Sequence, residues 1–160
     1  MNIKKSLKVG MGFGLSSATI TTLGIIVGMY SSTNSLLAVT GGILTIAVAD
    51  SFSDALGIHM AKESEGNFST LEVWQATVST FFFKFIFASS FLLPVVILPI
   101  KQAVIAALVW GICILIGISY VIARDTKQRA RNVISEHLSI AIAVMVITYY
   151  LGQWIAKTFN

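Results

Sequence analysis

Residues Ser35–Glu65 read SLLAVTGGILTIAVADSFSDALGIHMAKESE, and how this stretch is read decides the fold. It is apolar and long enough to cross a membrane, yet Asp50 and Asp54 stand inside it. An acidic side chain near a bilayer centre costs about 2.5–3.5 kcal/mol on insertion scales, and less toward the ends. Ionisable groups placed inside a membrane segment are functional by default, so this pair is the first functional lead. At about 100° per residue, Ile43, Ala47, Asp50, Ser53, Asp54, Gly57 and Ala61 share one helical face. Glu65 joins that face if the helix runs on to Gly66, a residue suited to the position after a helix C-cap. The pattern predicts a column of carboxylates entering from the inner side, with Glu63 and Glu65 at its mouth. His59 points the other way.

Working outward, the whole chain repeats this plan. Of 160 residues, 56% are hydrophobic and only 11% charged, and the mean hydropathy is +0.84. A soluble domain is about 25% charged, so the composition belongs in lipid. Five apolar stretches fit helices at about residues 9–30, 36–65, 75–100, 102–123 and 135–158. Each reaches the roughly 20 residues needed to cross the hydrocarbon layer. Little chain remains between them, which predicts an all-α membrane protein forming one domain over residues 1–160. The opening MNIKKSLK is read as the start of the first span rather than as a leader, because the apolar stretch continues to Tyr30.

Basic residues set the expected orientation. With the N-terminus cytoplasmic and the C-terminus outside, the inner segments hold Lys4, Lys5, Lys8, Lys62, Arg124, Lys127, Arg129 and Arg131. The outer segments hold Lys101 and Lys157, an asymmetry of the positive-inside kind. The net charge of +4 then reflects topology and contact with anionic lipid, and no basic–aromatic pattern calls for nucleic acid. The small share of extramembrane chain suits a bacterial or archaeal cell membrane. Cys113 is the single cysteine and reads as a packing residue, so neither a disulfide nor a thiol metal site is expected.

Local signals refine the plan. The first helix carries LSSATITT followed by Gly24 and Gly28, a pairing that lets backbones approach closely. Ser69 and Glu72 have capping-box spacing ahead of the third span. That span carries Pro94 near its outer end and a phenylalanine cluster expected to face lipid or to pack, and Pro99 ends it. The fourth helix is the least polar and reads as a structural wall. Asn132 or Ser135 is the expected cap of the fifth, where Glu136 and His137 are read as capping and solvated groups.

Depth compares polar groups across helices. Ser17, Asp50 and Lys84 each lie nine or ten residues from the inner boundary, about 13–15 Å deep at 1.5 Å per residue. Lys84 therefore either pairs with Asp50 to make both charges tolerable, or stands as a tethered cation competing for an ion site.

The residues TTLGIIVG (Thr21–Gly28), the short turn after them and the long second helix with its charged extension resemble the vacuolar iron transporter family. The resemblance implies a five-helix homodimer with its ion route near the dimer interface. It also implies transport of Fe²⁺, often Mn²⁺ too, out of the cytosol against protons. Carried onto this chain, Asp50 is the central carboxylate, Asp54 its inner neighbour, Glu65 and Glu63 the acidic mouth, and Ser17 a neutral oxygen from helix one. The pattern departs in four places. Ser17 stands where the family has an aspartate, Ile46 stands where it has a methionine, the inner loop is too short for the cytosolic metal-binding domain of some members, and Lys84 has no equivalent in the family pattern. The other readings are a non-transporting assembly scaffold held by a structural Asp50–Lys84 pair and, last, an enzyme. Enzyme chemistry is not expected, since neither a serine–histidine arrangement nor an HExxH motif is present. No cofactor is expected either.

Overall fold

The computed structural model describes residues 3–159; Met1 and Asn2, in the opening read as the start of the first span, lie outside them, as do the side chains of Ile3 and Lys4. Regular structure within that range is helical throughout. In order it comprises α1 (Ile3–Thr33), α2 (Leu36–Thr45), a π turn (Ile46–Asp50) and α3 (Ser51–Ser64). These are followed by α4 (Thr70–Ser90), α5 (Leu92–Ile97), α6 (Ile100–Thr126) and α7 (Ala130–Phe159). The segments α2, π turn and α3 run on as one span, and α4 with α5 as another. The protein is thus all-α, with five helices long and apolar enough to cross a membrane.

The ends of the helices follow from local chemistry. Asn34, at φ +48°, turns the chain out of α1, and Ser35 caps α2 by accepting from the Ala38 N–H at 3.3 Å. Gly66 follows α3 at φ +66°, as the sequence predicts for the residue past the C-cap. The Ser69–Glu72 capping box is formed, so α4 starts at Thr70, five residues earlier than the span read from hydropathy. That span is also not continuous. Proline cannot donate to the carbonyl four residues back and its ring crowds it, so Pro94 breaks the helix after Ser90. The expected caps of the last helix are displaced. Lys127, at φ +55°, reverses the chain so early that only it, Gln128 and Arg129 separate α6 from α7. The Arg129 carbonyl then accepts from Asn132 at 2.9 Å, which places Asn132 and Ser135 inside α7.

α1 is the most buried span and packs against α4, α7, α6 and α2. Its small residues set the spacing. A Cβ on Gly10 would sit 2.4 Å from the Ala76 carbonyl oxygen, and one on Gly14 2.8 Å from that of Thr80. Side chains larger than hydrogen there would force α1 and α4 apart. Gly24 and Gly28 face Val144 and Thr148 of α7, so the close approach expected of that pair is realised. The apolar core lies in the other half of the bundle, where Leu23, Ile26, Ile43, Phe91 and Val95 meet. Gly111 receives Leu23 on the inner face of α6, the predicted wall. Phe82 and Phe85 of the phenylalanine cluster face outward.

Candidate functional site

The same register that seats α4 on the glycines of α1 aims Lys84 at Ser17. Ala76, Thr80 and Lys84 recur every four residues on the α4 face that meets Gly10 and Gly14. One turn further along, the Lys84 side chain is fully buried, with 0% of it exposed. Its ammonium donates to Ser17 Oγ at 2.9 Å and to Asp54 Oδ2. Asp50 Oδ2 lies 2.5 Å from the same nitrogen. An ammonium has three N–H donors, and here three oxygens from two neighbouring spans surround it.

The π turn leads directly into this cluster, with Asp50 as its last residue. An i→i+5 turn holds one residue more than an α turn, and such turns concentrate at functional sites. Asp50 and Asp54 therefore lie on one face of the span just where its winding widens, and both reach one nitrogen.

The carboxylates are paired without being sealed. Their side chains remain 29% exposed for Asp50 and 19% for Asp54, against 0% for the lysine between them. Asp50 opens into a shallow groove of about 250 Å³ on the outside of the bundle, lined also by Thr45, Ile46, Ala49 and Ser53. Two carboxylates facing one ammonium leave a single net negative charge when all three are ionised. The buried hydroxyls Ser51 Oγ and Thr80 Oγ1, one beside Asp50 in sequence and one a turn from Lys84, have no hydrogen-bond partner among the described residues. Thr19 and Thr21 of the LSSATITT run instead return their hydroxyls to carbonyls of their own helix.

Three of the five oxygen-bearing residues expected along the ion path come together: Ser17, Asp50 and Asp54. The other two do not. Glu63 is 72% exposed and stands 3.9 Å from His59 Nε2, and the exposed Glu65 caps the end of α3. The expected acidic column thus stops at Asp54, because in the last turn of α3 it is Lys62 that is buried while Glu63 and Glu65 face outward. Among the described residues no three His, Cys, Asp or Glu side chains gather closely enough to hold a metal ion. At the start of α7, His137 shares a 2.7 Å hydrogen bond with Ser119 while Glu136 is exposed, so the two form no joint site. The sequence reading paired Lys84 with Asp50 alone; the four-residue spacing of the aspartates is the signal that brings in Asp54.

The fold and site together define a helical membrane protein with a lysine–aspartate–serine cluster among its spans. No family model, curated protein or solved structure matches the chain.

Proposed function

We propose that this protein is a membrane transporter for divalent cations, Fe²⁺ or Mn²⁺, exchanged against protons by a homodimer. This is the activity implied by the resemblance of its first two helices to vacuolar iron transporters. The observation that carries the reading is the pair of aspartates that share one buried ammonium yet stay open on their far side. With all groups ionised the cluster has one net negative charge. Adding a divalent cation and releasing one proton from the cluster brings it to neutrality. Lys84 thus acts as the resident cation that an incoming ion displaces, and the proton it gives up supplies the coupling. Ser17 contributes a neutral oxygen to either occupant.

One chain offers two carboxylates and a hydroxyl, fewer oxygens than the six that suit Mn²⁺. A second copy supplies more. Gly41, Thr45, Ala49, Ser53 and Gly57 recur every four residues along the second span, and all are exposed. A Cβ on Gly41 or Gly57 would meet nothing within 4 Å. Small residues at this spacing let membrane helices approach closely, and a two-fold contact along them sets two Asp50 grooves side by side. It also removes part-exposed carboxylates from lipid, where they are costly.

Mn²⁺ uptake into proteoliposomes tests the reading. Wild type is expected to carry flux that Asp50→Asn abolishes, and unchanged flux would remove Asp50 from the mechanism. Complete burial of Lys84 favours a second reading, in which the cluster only holds a non-transporting scaffold together. On that reading wild-type vesicles take up no more metal than empty ones.

A further inference from the structure

We infer that the cleft between α3 and α4 binds a phospholipid with a primary-ammonium head group, of the phosphatidylethanolamine type. Two adjoining cavities carry the inference. The first, about 470 Å³, is an apolar slot lined by Phe52, Leu56, Val78, Phe81 and Phe82 that reaches His59 and Trp74. The second, about 160 Å³, shares His59 and Trp74 and adds Glu63, Phe68 and Thr70. An apolar slot that leads through shared residues into a polar one has the shape of an amphiphile. Trp74 marks the join, as indole rings do at the membrane–water boundary. Phe52, Leu56 and His59 lie about 100° around the helix from Ser53 and Gly57, so dimerisation along the small-residue stripe leaves the slot facing lipid.

The polar end selects the head group. The Thr77 hydroxyl donates its single proton to the Val73 carbonyl at 2.9 Å. In the 3.0 Å contact between Thr77 Oγ1 and His59 Nδ1 the ring N–H must therefore be the donor. In its neutral form the ring then presents the lone pair of Nε2, which lies 3.9 Å from the Glu63 carboxylate. A lone pair beside a carboxylate calls for a cation carrying several N–H donors. Lys62 is buried and lines neither cavity, but its ammonium sits 3.9 Å over the Phe68 ring that does, which puts a positive charge behind that wall for a phosphate. Adjacent Lys62 and Glu63 match a zwitterion whose positive end can donate hydrogen bonds. A choline head has the same charge but no N–H, and a glycerol head has no cation.

The experiment is native mass spectrometry of the delipidated full chain. It is offered equimolar phosphatidylethanolamine, phosphatidylcholine and phosphatidylglycerol with identical acyl chains. Ethanolamine adducts are expected to exceed choline adducts by about tenfold, the scale of a charge-assisted hydrogen bond. Glu63→Gln should bring the two near parity. Val78→Phe, at a lipid-facing position that leaves the core intact, should fill the slot and reduce adducts of every head group. Equal retention of ethanolamine and choline lipids overturns the proposal. So does an ethanolamine preference that survives both Glu63→Gln and His59→Gln.

Discussion

The first and second spans both carry small residues at helical spacing, and the bundle uses them differently. In α1, Gly10 and Gly14 lie under carbonyls of α4, and Gly24 and Gly28 lie against α7. In the second span, Gly41 and Gly57 face open space, and Thr45, Ala49 and Ser53 between them on the same stripe are exposed. The same sequence signal therefore closes contacts within the chain in one place and leaves a face available to another molecule in the next. Lys84 stands where the two meet, held by a hydroxyl from the first and carboxylates from the second.

The sharpest way to break this contrast is to remove its junction. Lys84→Met leaves two carboxylates without their cation inside the bundle, and losing one partner of a buried pair costs about 3–5 kcal/mol. Unfolding in mixed detergent micelles should show that loss, with much of it recovered when Asp54→Asn is added. A midpoint that does not move would mean the cluster carries no structural load. Next in size is Gly10→Val, whose side chain meets the Ala76 carbonyl directly; overpacking of this kind costs about 1–3 kcal/mol in the same assay. Ser17→Ala takes one acceptor from the ammonium and should cost about 1 kcal/mol. The smallest effect on unfolding is expected for Gly57→Val, within about 0.5 kcal/mol, as for other exposed positions. If the second-span stripe joins two copies, that variant should nonetheless convert dimers to monomers in single-molecule photobleaching counts. Equal destabilisation by Gly10→Val and Gly57→Val would erase the distinction between the two spans.

Much of this was legible in the sequence for physical reasons. Apolar length alone marks the five spans, because a bilayer imposes a minimum on each. The meeting of Ser17, Asp50 and Lys84 was legible from depth, since antiparallel spans of known direction fix which residues share a level. The break at Ser90 was not, although its cause, Pro94, was in view; proline within a membrane helix is often tolerated, and its effect depends on neighbours. The π turn left no composition signal, because the extra residue is accommodated by backbone winding. The fate of Glu63 and Glu65 escaped the helical projection for another reason. A wheel places Glu65 on the face of Asp54 and Glu63 about half a turn away, but says nothing about where that face stops having a partner.

The lysine between the aspartates has one more consequence. A covalently attached competitor keeps the same effective concentration at its site however far the surroundings are diluted. Dialysis, chelators and changes of buffer cannot strip it away. Any solute ion that lodges on these carboxylates must therefore win against a rival that never leaves, which favours weak, rapidly reversible occupancy over tight storage.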